Sequence, residues 1–154
     1  RLARAERACR EEAADLMRYV GLHNYLSAAA AAVPYGALKR LEIARALATK
    51  PKLMLLDEPA AGLNPTEALE LDDLIGRLTE RGVTVVLVEH NMRLVMGVSD
   101  HILVLDYGRK LAEGPAATVR NDPKVIEAYL GSAVAHDGSY GDASAVAVAV
   151  EMHR

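Results

Sequence analysis

Two short apolar runs, each set off by a chain-breaking residue and each closing on charged groups, restrict this chain's fold more than any other feature. Leu53-Met54-Leu55-Leu56 follows Pro51 and runs into Asp57-Glu58-Pro59; Val83-Thr84-Val85-Val86-Leu87-Val88 follows Gly82 and runs into Glu89-His90. Runs this short and this apolar, without alternation, suit strands covered on both faces, which is the environment of a parallel sheet. A third run, Ile102–Leu105, reads the same way, and Tyr107-Gly108 turns it into a more polar strand over Arg109–Ala112. Between the first two lies a helix with clear start chemistry: Asn64 as N-cap, Pro65 at N1 and Glu67 at N3, followed by a stripe of Leu71, Leu74, Ile75 and Leu78. That is a capping box with a proline where its missing N–H costs nothing. Strands alternating with helices imply an α/β layer architecture, whose chemistry collects at the carboxyl ends of the strands.

The rest of the chain divides by composition. Residues 2–20 carry Cys9, Ala13, Leu16, Met17 and Val20 at helical spacing, with Gly21 as a stop. Residues 27–33 are an alanine-rich stretch; Pro34-Tyr35-Gly36 breaks it, and Ala37–Thr49 reads as a second helix. Residues 91–99 and Pro123–Leu130 read as further helices. After Gly131 small residues dominate, ending in alternating Ala and Val. The expected organisation is a helical part over 1–50, a sheet-bearing part over 51–131 and a flexible tail over 132–154, whose alternation would also suit an edge strand. Cys9 is the single cysteine, so no disulfide forms within the chain, and a reducing compartment fits. The net charge of −3 argues against a general nucleic-acid binder. It splits as +4 over residues 1–50 and −7 over 51–154, read as two solvated faces. No apolar run reaches the ~18 residues needed to span a bilayer, and no signal peptide is visible.

Three places can carry chemistry. Asp57 and Glu58 are adjacent at a strand end, so their side chains point different ways: one suits a metal ion, the other a proton from water. The alternative for this pair is a solvated turn or a helix cap. His90 closes the second strand. Gly36 opens a helix whose free N–H groups and dipole favour an anion, and glycine lets a phosphate approach the backbone closely. Glu89 reads as a solvated or capping carboxylate, and Arg40 and Arg45 as surface or salt-bridge residues.

Longer stretches go further. KLMLLDEPAAGLNPTE, with LEIARALA upstream and VVLVEHNM downstream, resembles the ATP-binding subunits of ABC transporters. The wording YG…RLEIARAL, EHNMRLVMGVSDHILVLDYGRKLAEG and VIEAYLG is similar to the subunits of branched-chain amino-acid importers, and the likeness covers about residues 2–131. The resemblance implies a P-loop NTPase-like parallel-sheet core with part of a helical subdomain, incomplete at the N-terminus. It implies that Asp57 ends a Walker B strand and binds Mg2+, that Glu58 is the catalytic base and that His90 is the switch histidine. Tyr35, Gly36 and Ala37 fall in the signature motif that faces ATP on a second subunit, and Asn64 falls in the D-loop, where its N-cap role explains it equally well. The implied cofactors are ATP and Mg2+. The implied partners are a second ATPase subunit, membrane permease subunits and, indirectly, an extracytoplasmic solute-binding protein, with no nucleic acid; the implied location is the cytoplasmic face of the membrane.

Two departures qualify this. No Gly-Lys dipeptide occurs in the chain, so the phosphate loop G-x-x-x-x-G-K-[ST] is absent. These 154 residues alone are therefore expected not to hydrolyse ATP, an expectation checked by phosphate release from the purified chain. In the signature, Pro34 and Ala37 replace the usual Ser and Gln, and Pro34 donates no hydrogen bond. The family's sheet order further places the phosphate-loop strand between the 83–88 and 102–105 strands, so both are expected to have open edges. A truncated module that binds partner subunits without catalysis, and a soluble ATPase acting on nucleic acid or ribosomes, are the alternatives.

Overall fold

The structure, a computed structural model, describes residues 2–130 and 145–151. It contains two compact units. Among the described residues, the first comprises 2–52 and 62–74, the second 53–61, 75–130 and 145–151. The boundary thus falls inside the expected sheet-bearing part, because the segment after the first strand leaves the sheet and joins the helices.

In the first unit α1 (Leu2–Tyr19) is followed by short 3-10 turns at His23–Tyr25 and Ala30–Ala32, then α2 (Tyr35–Leu47). Val20 and Leu22, with Ala37, Ile43, Ala44 and Leu47 of α2, supply its buried apolar residues, and α1 itself is largely exposed. Helix α3 (Pro65–Glu80) starts in this unit, where Leu71 and Leu74 are fully buried. Arg40, expected at the surface or in a salt bridge, is mostly covered; it pairs with Glu70 at 2.6 Å and so ties α2 to α3.

The second unit holds β1 (Leu53–Asp57), β2 (Thr84–Glu89), α4 (Met92–Val98), β3 (His101–Asp106), β4 (Arg109–Gly114), α5 (Ala116–Arg120), α6 (Pro123–Leu130) and β5 (Ala145–Glu151). The sheet order is β1-β2-β5-β3-β4. Strands β1 and β2 pair in parallel, as the two apolar runs imply; the remaining pairings are antiparallel, so the sheet is mixed. One face is packed: Leu87, Leu94, Val95, Ile102, Val104, Val119 and Val125 form a single cluster. On the opposite face of β1, Leu53 and Leu55 are exposed, although their run has the composition of a strand covered on both sides.

The tail departs from expectation. Residues 145–151 form a strand that is not at an edge: β5 lies in the middle of the sheet, pairing with β2 on one side and β3 on the other. The expected open edges of β2 and β3 are thereby closed. The physical reason is hydrogen bonding, since two bare strand edges offer an extended segment a ladder on each side, and alternating Ala and Val adopts the pleat readily. The expected flexible residues 132–144 and 152–154 lie outside the described residues.

At the far edge, β3 and β4 carry a polar trio. His101 Nε2 lies 3.2 Å from Glu113 Oε1, and Lys110 Nζ donates to Glu113 Oε2 at 3.0 Å. The Lys110 ammonium first, and the His101 ring second, hold the Glu113 carboxyl below the ordinary carboxylate range. A carboxylate depressed in the folded state adds stability above its unfolded pKa and loses it as pH falls through the folded one. At this exposed site the contribution is small. Carboxyl NMR titration is expected to place Glu113 below the ordinary carboxylate range, and Lys110→Ala to move it upward.

Candidate functional site

The predicted residues gather into two groups, one in each unit. In the second unit, the parallel register sets Asp57 opposite Val88, so the ends of β1 and β2 lie side by side. Beyond β1 the chain turns at Glu58, which has φ +44°. For a residue with a Cβ this left-handed conformation costs about 1–2 kcal/mol. Such strain persists where neighbours enforce it. Here the Glu58 N–H donates to Val88 O at 2.8 Å and the Ala61 N–H donates to Glu58 O at 3.1 Å. The turn presents the Glu58 carboxylate to His90: Oε1 lies 3.4 Å from Nδ1, with both side chains about half exposed, at 54% and 51%. Two residues 32 positions apart thus meet at adjacent strand ends. Asp57 is exposed, and among the described residues no hydrogen bond or ion pair engages its carboxylate.

Glu89, read from sequence as solvated or capping, is 1% exposed. Its Oε1 accepts from the Ala60 N–H at 2.9 Å, and its Oε2 accepts from the N–H groups of His90 and Asn91 at 3.0 and 3.1 Å. It caps and is not solvated. The missed signal was the unbroken apolar run before it, which carries the strand's end into the core.

In the first unit, α2 begins at Tyr35 after Pro34, which provides no side-chain cap. The N–H groups of its first turn therefore have no side-chain acceptor of that kind. Asn64 performs the N-cap role: its Oδ1 accepts from the N–H groups of Thr66 and Glu67, both at 3.0 Å, while Glu67 Oε2 accepts from the Asn64 N–H at 2.9 Å. This capping box interlocks with the start of α2. Gly36 is buried against Glu67, and a Cβ at position 36 would collide with that carboxylate. Reciprocally, the Tyr35 ring lies over Gly62, where a Cβ would sit 3.0 Å from Cε1 and where φ is +76°. Both glycines are required by close approach. Gly36→Ala is expected to push Glu67 out of its cap and cost about 1 kcal/mol, the worth of a cap. In a Gly36→Ala, Glu67→Ala double variant the losses should not add, as urea titration of the four proteins will show.

The described elements form part of an α/β fold, and comparison with known proteins shows what it resembles. Residues 2–61 match the ABC transporter family, and residues 109–135 match the branched-chain amino acid ATP-binding cassette transporter family. In both segments the chain is similar to ATP-binding subunits of ABC transporters. It is 48% identical over 131 residues to the high-affinity branched-chain amino acid transport ATP-binding protein BraF of Pseudomonas aeruginosa, covering 84% of this chain and 51% of that one. It is 47% identical to LivG of Escherichia coli, with the same coverage. Among solved structures, the ADP conformation of MJ1267, an ATP-binding cassette of an ABC transporter, superposes with a TM-score of 0.69 at 33% identity, covering 76% of this chain and 48% of that one. The chain spans about half the length of the curated relatives it matches.

Proposed function

We propose that this chain supplies part of an ATPase subunit that drives import of branched-chain amino acids. The observation that carries the reading is the approach of His90 Nδ1 to Glu58 Oε1, 3.4 Å apart, at the carboxyl ends of two parallel strands. Glu58 takes a proton from the water that attacks the terminal phosphoryl group in line, and His90 hydrogen-bonds that group and orients the water. The first-turn N–H groups of α2, at Tyr35, Gly36 and Ala37, bind a phosphate of ATP held by a second subunit, and Asn64 lies at the same subunit contact. The lack of a side-chain cap on α2 supports this role.

Asp57 fits a magnesium ligand. It is an exposed hard oxygen donor without a protein partner among the described residues, and no group of three or more His, Cys, Asp or Glu occurs there. Mg2+ is commonly held by one or two carboxylates together with nucleotide phosphates, so a lone aspartate is the expected donor set. When bound, the ion neutralises phosphate charge. Among the described residues no helix is long and apolar enough to cross a membrane. The proposed location, the cytoplasmic face, therefore rests on permease subunits, which also connect the subunit to an extracytoplasmic solute-binding protein.

The test uses the longest reading frame that contains these residues, co-expressed with neighbouring membrane-protein genes. ATP hydrolysis, co-purification with a permease and uptake of leucine, isoleucine or valine are expected. A protein that hydrolyses no ATP, or that travels with nucleic acid instead of membrane proteins, overturns the reading.

A further inference from the structure

Glu89 is the one buried carboxylate at the strand ends, and no step proposed above uses it. Its contacts are unusual in their reach. One oxygen holds the Ala60 N–H, two residues beyond Glu58, and the other holds the N–H groups of His90 and Asn91. The loop after β1 is therefore fastened to the end of β2 twice, by the Val88 carbonyl at Glu58 and by the Glu89 carboxylate at Ala60. A half-exposed glutamate in a strained turn has little else to fix it, since among the described residues its only side-chain partner is His90.

We propose that Glu89 is a positioning residue that sets the separation of Glu58 and His90; this rests on their assignment as the hydrolytic pair. A carboxylate suits the task because both of its oxygens only accept, and three N–H donors converge on them. Charge-assisted bonds of this kind are shorter and stronger than neutral ones. Glutamine has the same shape but only one accepting oxygen. Its best orientation keeps that oxygen on the two donors of His90 and Asn91 and turns the NH2 group against the Ala60 N–H. Glu89→Gln thus releases the loop that carries Glu58 while leaving the start of α4 in place. Because the change acts through geometry, turnover should fall without a matching change in nucleotide affinity.

The experiment measures ATP turnover in the longest reading frame for four proteins: unsubstituted, E58Q, E89Q and the double variant. E89Q is expected to lower kcat about tenfold to a hundredfold, with KM for ATP unchanged within about twofold. In the E58Q background it is expected to lower the residual rate less than about twofold, because the group it positions is already disabled. A merely structural carboxylate predicts instead equal proportional losses in both backgrounds, and that result overturns the proposal. So does an E89Q protein with unaltered kcat beside a disabled E58Q. An E58Q protein that turns over normally removes the hydrolytic assignment, and this proposal with it. If E89Q does not fold, amide exchange in the unsubstituted protein decides: a protected Ala60 N–H supports the clamp, and exchange at the rate of an unstructured amide overturns it.

Discussion

Glu58→Gln, placed in the longest reading frame that carries these residues, is expected to lower ATP turnover at least about a hundredfold while ATP still binds. Glutamine keeps the shape and the polar reach of the side chain toward His90 but cannot take up a proton. The turn should be indifferent to the exchange, because the positive φ at position 58 is enforced by backbone bonds to Val88 and Ala61 that both residues accept equally. Thermal stability is thus expected to change by no more than about 0.5 kcal/mol, as for other exposed substitutions. Phosphate release and equilibrium nucleotide binding, measured on the same preparation, separate the two effects. A variant that keeps more than a tenth of the unsubstituted rate would exclude Glu58 as the base.

The second large effect is on stability. Val148 pairs with Val88 of β2 on one side and with Leu103 of β3 on the other. Val148→Pro removes a backbone donor from a strand with neighbours on both sides, where proline is not accommodated. The partner carbonyl is left without its bond inside the sheet, so the expected cost exceeds about 2 kcal/mol. Truncation before Ala145 should cost more, since β2 and β3 pair with β5 and not with each other. Urea unfolding followed by circular dichroism should show a lower midpoint for V148P, and a broad, weakly cooperative transition for the truncated chain. Unchanged midpoints for both would mean that β5 adds nothing to the sheet.

What could be read from sequence was what short-range chemistry decides. The capping box at Asn64 and Glu67 closes over three residues, so its residue types alone define it. The strands β1 and β2 were legible because apolar residues without alternation, bounded by breakers, have few other uses. The meeting of Glu58 and His90 is different: nothing local joins positions 32 apart, and it was legible only through family resemblance. For Glu89 the capping alternative held and the solvated one did not, and its burial was not legible because one of its donors, Ala60, lies 29 residues away. Helix α5 was missed because five residues carry too little periodicity to register. The alternation at Ala145–Glu151 identified a strand-like segment, but side-chain period says nothing about which neighbours receive it. That was decided by β2 and β3, whose facing edges offered two ladders at once.

The placement of β5 also bears on folding speed. Strands β2 and β3 both precede β5 in the chain, so the two ladders that separate them join segments far apart in sequence. Refolding of the 154-residue chain should therefore be slow for its size, limited by these late, long-range pairings.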